Sequence, residues 1–300
     1  MTTQIKITFL GTADSIPSAR RNHPAILLSY EGENILFDCG EGTQRQFRKA
    51  KINPGKITRI CISHWHGDHV LGIPGLLQTL ALSGFHKKLF IYGPKGTKEF
   101  MREIFKVFNF KKKYDVHVED VLGIFFETKD CYLEAKAMNH GIPTNAYSFV
   151  KKGLLRIDKK KLKKLKIESG VHLQDLKKGK DINYKGKKYL AKNLTFMEGD
   201  KKVSVVMDTV MNNSIVGFVK DADLFISESS FSSEDADKAK EHKHLTARQA
   251  GEIAKKAKVK KLVLTHISAR YDKNPKAVLN DAKKVFKNSV IVQDLDEVDV

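Results

Sequence analysis

The chain has 300 residues, of which 41% are hydrophobic and 30% are charged, proportions that exclude a globally disordered protein. Its 54 Lys and Arg against 35 Asp and Glu give a net charge of +19, which predicts an anionic partner such as nucleic acid. The sequence has no apolar run near the ~18 residues of a membrane span, no signal-peptide pattern at its start and only three scattered cysteines. We therefore expect a cytoplasmic protein that does not contact membranes.

Short strands and helices are predicted along the first part of the chain. Strands are expected at residues 5–10, 25–30, 35–37, 57–63 and 89–92. Helices are expected at 43–50, 73–82 and 96–108. The apolar run Ile60-Cys61-Ile62 would be buried on both faces, which predicts a central position in its sheet.

The second half repeats this alternation of strands and helices. Strands are predicted at 202–207, 224–227, 262–265 and 290–293, and helices at 246–256 and 275–286. Elements of this kind and length predict an α/β protein built from stacked layers. We expect one domain over residues 1–300.

A lysine-rich segment at residues 151–192 interrupts this pattern. It holds 16 Lys or Arg and four acidic residues, a net charge of +12, and so supplies most of the excess positive charge of the chain. With so few apolar residues it is expected to add little to the core. We interpret it as an inserted, protruding arm.

The segment from His64 to His69 reads His-Trp-His-Gly-Asp-His and directly follows a predicted strand. Imidazole nitrogens and carboxylate oxygens are ligands that zinc and similar divalent ions prefer. His64 and His66 can reach one ion while Asp68 and His69 reach a second. The alternative is a histidine-rich surface loop, but four ligand-type side chains within six positions favour a metal site.

Two coordination shells need further ligands, and three more predicted strand ends carry them. His140 follows a strand-like stretch, and Asp208 and His266 end two later strands. A carboxylate at Asp208 could bridge two ions. Each of the three residues would by itself be interpreted as structural, but together they support the metal site.

These motifs resemble the metallo-β-lactamase superfamily and, more narrowly, the ribonuclease Z family. Four further segments carry the narrower resemblance: Thr-Phe-Leu-Gly-Thr at 8–12, Phe-Asp-Cys-Gly-Glu-Gly-Thr-Gln at 37–44, Gly-Ile-Pro-Gly-Leu-Leu at 72–77 and Thr-His-Ile-Ser-Ala-Arg-Tyr at 265–271. They lie in both halves of the chain. The resemblance implies a four-layer αββα sandwich with metals at one edge of the sheets.

The resemblance also implies a set of ligands for two zinc ions in each subunit. The first ion would be held by His64, His66 and His140, the second by Asp68, His69 and His266, with Asp208 bridging the two. Asp68 would accept the proton of the attacking water. Glu228 and His244 match a family glutamate and a histidine-x-threonine motif, and together they would protonate the departing oxygen. Their alternatives are a solvated acid and a residue at the start of a helix.

The activity that the resemblance implies is endonucleolytic removal of the 3′ trailer from precursor tRNA. The family further implies a homodimer in which the basic arm of one subunit presents tRNA to the metals of the other. Two other hypotheses remain open. One is a metal-dependent hydrolase of another phosphodiester or of a small ester or thioester, and the other is a catalytically silent RNA-binding protein.

Overall fold

The computed structural model describes residues 4–110 and 113–300. Contacts between residues divide the chain into two compact units. The larger unit comprises residues 1–126, 133–149 and 202–300, and the smaller one comprises residues 127–132 and 150–201.

Eighteen strands, eleven α-helices and three short 3-10 helices (Pro54–Lys56, Ser233–Asp235 and Ala269–Tyr271) make up the secondary structure of the described residues. The strands are β1 (Lys6–Gly11), β2 (Ala25–Tyr30), β3 (Glu33–Phe37), β4 (Arg59–Cys61), β5 (Leu89–Gly93), β6 (Val116–Asp120), β7 (Gly123–Glu127), β8 (Cys131–Asn139), β9 (Pro143–Lys151), β10 (Leu155–Ile157), β11 (Ile182–Tyr184), β12 (Lys187–Tyr189), β13 (Thr195–Met197), β14 (Lys201–Val206), β15 (Leu224–Glu228), β16 (Lys261–Thr265), β17 (Ser289–Ile291) and β18 (Glu297–Asp299). The helices are α1 (Thr43–Lys49), α2 (Gly67–Val70), α3 (Ile73–Leu82), α4 (Thr97–Val107), α5 (Lys159–Lys164), α6 (Leu173–Lys177), α7 (Ala191–Leu194), α8 (Asn213–Phe218), α9 (Ala236–Glu241), α10 (Ala247–Lys256) and α11 (Pro275–Lys283). No helix of the described residues is both long and apolar enough to cross a membrane.

Two seven-stranded sheets form the larger part of the fold. The first has the strand order β18-β1-β2-β3-β4-β5-β6, and the second has the order β17-β16-β15-β14-β9-β8-β7. In the first sheet β3, β4, β5 and β6 run parallel, and in the second β14, β15, β16 and β17 run parallel. β4 is flanked on both sides, which confirms the central position predicted for Ile60-Cys61-Ile62.

The two sheets pack face to face through large aromatic side chains. The rings of Phe37 on β3 and Tyr147 on β9 lie 6.0 Å apart, and the Tyr147 hydroxyl donates a 2.7 Å hydrogen bond to the carbonyl of Ile62. Such buried contacts exclude water from the space between the sheets.

Helices cover the outer face of each sheet. Leu76 and Leu77 of α3 join a buried cluster with Ile60 of β4, and Ala250 of α10 joins a second cluster with Phe225 of β15. The layers are therefore helix, sheet, sheet, helix. The predicted α/β fold with an αββα sandwich is confirmed.

The smaller unit contains a core of its own, contrary to the expectation that the lysine-rich segment adds little apolar packing. Its core consists of six buried residues: Leu162, Ile167, Leu176, Ile182, Ala191 and Leu194. They come from α5, α6, α7, β11 and the loops beside them. Apolar residues that are isolated among lysines in the sequence thus meet in space.

Several strands escaped the sequence prediction. β6 carries His117, Glu119 and Asp120, and its residues are exposed or half-buried, so it lacks the apolar pattern of a core strand. The adjoining β7 is mostly exposed as well. The predicted helix at 275–286 ends earlier, at Lys283, and the strand expected at 290–293 lies at Ser289–Ile291.

Candidate metal centre

The ends of five strands place the predicted site residues together at one edge of the sheets. The loop after β4 carries His64, His66, Asp68 and His69, while β8, β14, β15 and β16 end at or just before His140, Asp208, Glu228 and His266. β4 belongs to the first sheet and the other four strands to the second. The site therefore takes side chains from both sheets.

The first group of ligand atoms surrounds His66. Its Nδ1 lies 2.9 Å from Nε2 of His64 and 3.2 Å from Nε2 of His140. Oδ2 of Asp208 lies 3.5 Å from Nε2 of His64 and 3.6 Å from Nε2 of His140. Four atoms bound tetrahedrally to one zinc ion at about 2.0–2.3 Å would lie roughly 3.3–3.8 Å apart. The two distances to Asp208 lie in this range and the two to His66 are shorter, so a small outward shift of the His66 ring would let the four atoms share one cation.

The second group contains Asp68, His69 and His266 and shares Asp208 with the first. Nε2 of His69 lies 3.2 Å from Oδ2 of Asp68 and 3.4 Å from Oδ2 of Asp208. Nε2 of His266 lies 3.6 Å from Oδ2 of Asp68 and 3.2 Å from Oδ1 of Asp208. Asp208 thus lies between two groups, each of which could hold a metal ion.

Three buried atoms at the centre of these groups lack a hydrogen-bond partner among the described residues: Nε2 of His69, Oδ1 of Asp208 and Nε2 of His266. A buried polar atom without a partner is costly, and native structures contain few of them. A cation bound among them would satisfy all three atoms. The residues present therefore fit a metal ion.

The protonation states of two ligands also suit a cation. Burial places the pKa of His64 well below its usual value, so its imidazole is neutral. Burial favours the neutral acid at Asp208, but the imidazoles of His266 and His69 outweigh it and place the pKa of this carboxyl well below its usual value. Neutral imidazole and ionised carboxylate are the forms that bind metals. Burial lowers the pKa of His69 and of His266, but neighbouring carboxylates, Asp38 first for His69 and Asp208 for His266, outweigh it and raise both, so these two imidazoles would release their protons on binding a cation.

Glu228 and His244 form a hydrogen-bonded pair beside the ligands. His244 Nδ1 lies 3.0 Å from Oε2 of the fully buried Glu228, whose Oε1 accepts hydrogen bonds from the backbone N–H groups of Thr209 and Leu245. Burial lowers the pKa of His244, but the carboxylates of Glu228 and Asp208 outweigh it and raise the pKa to about 9. His244 is therefore protonated at neutral pH.

All nine predicted site residues lie in this cluster, but the sequence analysis assigned no role to three others that contact them. Ser230 Oγ lies 2.9 Å from Oε2 of Glu228 and 2.8 Å from Nδ1 of His266. Asp38 Oδ2 lies 2.7 Å from Nδ1 of His69, and Ser63 Oγ lies 3.0 Å from Nδ1 of His64. The sequence signals for Asp38 were its place at the end of a strand and its membership of the segment at 37–44 that carries the family resemblance.

Asp38 orients the loop of ligand residues 64–69 through contacts on the side away from the ligand atoms. Its carboxylate accepts hydrogen bonds from the backbone N–H of Ser63 at 2.6 Å and from the Ser63 hydroxyl at 2.8 Å, and it faces His69 Nδ1. Its backbone has a φ of 58°, in the left-handed region, which is uncommon for a residue other than glycine. A carboxylate on the far nitrogen of a ligand histidine fixes the ring and its tautomer.

Replacing Asp38 with asparagine is expected to weaken metal binding about 10- to 100-fold, because an amide NH2 group cannot accept the proton of His69 Nδ1. Competition with a chromogenic chelator measures this change. Asp281→Asn is the matched control, since Asp281 also accepts hydrogen bonds from a serine N–H and hydroxyl, those of Ser233 at 2.7 Å each. Equal metal affinity in Asp38→Asn and wild type would contradict the orienting role.

Known proteins resemble this chain over its full length. It is 38% identical to the ribonuclease Z of Methanosarcina acetivorans over 300 residues, which cover 99% of this chain and 98% of that protein. It is 36% identical to the ribonuclease Z of Bacillus cereus strain G9842 over 303 residues, with coverages of 97% and 98%. Residues 5–122 also match the family model described as Anti-Pycsar protein Apyc1.

Solved structures show the same architecture. The crystal structure of the short form of human tRNase Z superposes with a TM-score of 0.72 at 28% identity and covers 98% of each chain. The metallo-beta-lactamase fold protein YhfI of Bacillus subtilis superposes with a TM-score of 0.73 at 18% identity over the whole of both chains, a likeness in fold alone.

The four layers and the histidine–aspartate cluster at one edge of the sheets define a metallo-β-lactamase-fold protein with a metal-binding site. Within this fold, the sequence identity of 38% and 36% to two ribonucleases Z over nearly the full chain indicates one family. The chain belongs to the ribonuclease Z family. The resemblance found in the sequence is thereby confirmed.

Proposed function

We propose that this protein is a zinc-dependent endoribonuclease that removes the 3′ trailer from precursor tRNA. It cuts the phosphodiester next to the discriminator nucleotide and leaves a 3′-hydroxyl on the tRNA. The observation that carries the proposal is Asp208, whose carboxylate lies 3.2–3.6 Å from histidine nitrogens of both groups of ligand-type side chains, in a chain related over its full length to ribonucleases Z.

Two zinc ions per subunit are proposed, the first held by His64, His66 and His140 and the second by Asp68, His69 and His266, with Asp208 shared between them. When bound, such a pair of ions supplies an activated water and stabilises charge on the attacking and leaving oxygens of a phosphodiester displacement.

The side chains of the cluster would then move two protons. Asp68 takes the proton of the water that attacks phosphorus, and its carboxylate is available because the imidazoles of His69 and His266 oppose the effect of burial and lower its pKa. The bond from phosphorus to O3′ of the discriminator nucleotide breaks. His244, held by Glu228, donates a proton to this departing oxygen.

A 3′-extended precursor tRNA, with the cut site mapped, tests the function. The wild type is expected to cut once, beside the discriminator, while Asp68→Ala and chelated wild-type protein do not cut. RNA binding without cleavage at full zinc occupancy would instead support a silent RNA-binding protein. Cleavage of small phosphodiesters or thioesters alone would support a hydrolase of another substrate.

We further propose that the lysine-rich arm, predicted at residues 151–192, binds tRNA phosphates. Helix α5, which is capped by Asp158, presents five exposed lysines: Lys159, Lys160, Lys161, Lys163 and Lys164. Lysines also line a groove of about 520 Å³ in the smaller unit, beside Tyr189 and Leu190. Lysines that neutralise phosphates release counterions, which gives affinity without reading the base sequence.

Neutralising three arm lysines, as Lys160→Gln, Lys163→Gln and Lys164→Gln together, is expected to raise KM for precursor tRNA by roughly tenfold or more at 150 mM salt, because three phosphate contacts are lost. Hydrolysis of bis-p-nitrophenyl phosphate should not change. The matched control neutralises three exposed lysines of the larger unit, Lys220, Lys255 and Lys256. An equal rise in KM for both triple variants would count against a dedicated arm.

The family resemblance also leads us to propose a homodimer that acts in the cytoplasm. Light scattering of the purified protein measures the oligomeric state. If the protein is a monomer at the concentrations of the cleavage assay, the proposal that the arm of a partner subunit presents the tRNA is contradicted.

A further inference from the structure

Lys243 lies in the turn between α9 and the site residue His244, and its backbone supports the candidate metal centre. Its carbonyl oxygen lies 2.9 Å from Nδ1 of His140. The bond leaves Nε2 of His140 facing His66, at 3.2 Å from its Nδ1. The main chain of Lys243 thus orients a ligand histidine, whichever side chain the residue carries.

The side chain of Lys243 extends across Gly141, the residue after His140. A Cβ atom built on Gly141 would lie 2.3 Å from the Lys243 ammonium nitrogen and 3.2 Å from its Cδ, so any larger residue at position 141 would displace the lysine. Gly141 has a φ of 90°, which also favours glycine. The ammonium therefore lies against the loop that carries His140, at the rim of the ligand cluster.

The charge of this ammonium is available for an external anion. Lys243 is exposed, and no carboxylate of the described residues lies within the 4.0 Å that defines an ion pair with its Nζ. Arm lysines such as Lys161, Lys185 and Lys188 do have acidic partners. An unneutralised cation beside a site proposed to cleave phosphodiesters can bind a phosphate oxygen.

We propose that the Lys243 ammonium binds a non-bridging phosphate oxygen of the RNA at the rim of the metal centre. This inference rests on the phosphodiester substrate proposed above. The contact is to the backbone of the RNA, so it positions the strand without selecting its base sequence. It adds affinity for the substrate and does not take part in proton transfer.

Lys243→Gly tests the proposal because it removes the side chain with its ammonium and leaves the backbone carbonyl. The backbone φ of Lys243 is 59°, a conformation that glycine adopts freely, so the carbonyl that faces His140 stays in place. Lys243→Arg keeps the charge, and Lys240→Gln removes a neighbouring exposed charge from α9. Metal content checks that the ligand cluster is intact in each variant.

Lys243→Gly is expected to raise KM for precursor tRNA about tenfold, with kcat within about twofold of wild type. The dissociation constant of the chelated protein for the same RNA should rise equally, and the slope of log K against log salt should fall by about one phosphate contact. Lys243→Arg should restore most of the affinity, and Lys240→Gln should behave as wild type.

Two results would overturn the inference. One is an unchanged KM and salt slope in Lys243→Gly, and the other is a loss of kcat and metal content, which would mean that the residue acts only through its backbone. Failure of the proposed function has a different signature. In that case the wild type does not cut precursor tRNA, whatever the residue at position 243.

Discussion

Replacing Asp208 with asparagine is expected to abolish cleavage, with a loss of at least about a thousandfold, because two bound ions contribute several kcal/mol of charge stabilisation in the transition state. Asp208 belongs to every candidate group of metal ligands among the described residues. The amide has the same shape as the carboxylate but lacks its charge. The metal content of the variant should fall from two ions per chain to one or none.

Metal analysis and cleavage kinetics on the same preparation check this result. Asp281→Asn serves again as a control, since Asp281 is a buried carboxylate on α11, outside the candidate ligand groups. It should keep both ions and most of the activity. Full metal content and activity in Asp208→Asn would contradict the bridging position.

The second large effect is expected at His244. Replacing it with alanine should lower kcat for precursor tRNA by about 10²- to 10⁴-fold, the usual contribution of a general acid. KM and metal content should change little, because the proposed zinc ligands do not include His244; it lies in a third group of ligand-type side chains, with Asp208, Glu228 and His266, that is assigned no ion here.

The leaving group provides the control for this prediction. A nitrophenolate departs without a proton, so hydrolysis of bis-p-nitrophenyl phosphate should be almost unaffected in His244→Ala. Added imidazole should restore part of the activity on tRNA. An equal loss on both substrates would show that the residue holds the site together and does not act as the acid.

The metal cluster could be predicted from the sequence because core packing does not explain several histidines and aspartates at strand ends. Histidines at 64, 66 and 69 follow an apolar strand, and no core or turn requires imidazoles there. The αββα architecture followed from the family resemblance that these motifs carry. The apolar run at residues 60–62 was by itself sufficient to predict a strand buried on both faces, which is β4.

Other parts of the site depend on contacts between residues far apart in the chain. Asp38 meets Ser63 25 positions later, and the carbonyl of Lys243 meets His140 across 103 positions. Neither side chain differs in type from an ordinary surface or turn residue. Their roles are visible only when the strands that carry them are placed in the sheets.

The core of the smaller unit escaped prediction for a related reason. Leu162 and Leu176 are buried, yet each lies in a short helix whose other residues are mostly polar and exposed. Such short helices bury one or two side chains each, too few for a periodic pattern. The net charge of the segment could be counted, whereas its packing could not.

Because the ligands come from both sheets, metal binding is expected to increase the stability of the fold against unfolding. His64, His66 and His69 follow β4 in the first sheet, while His140, Asp208 and His266 end strands of the second. An ion bound by both sets would link the two sheets at this edge, and the sheets could separate there only if the ion were released. Affinity for the ion is thereby converted into resistance to unfolding, by about 4 kcal/mol at a free concentration one thousand times the dissociation constant. The ligand atoms proposed to act in RNA cleavage would therefore also stabilise the folded protein.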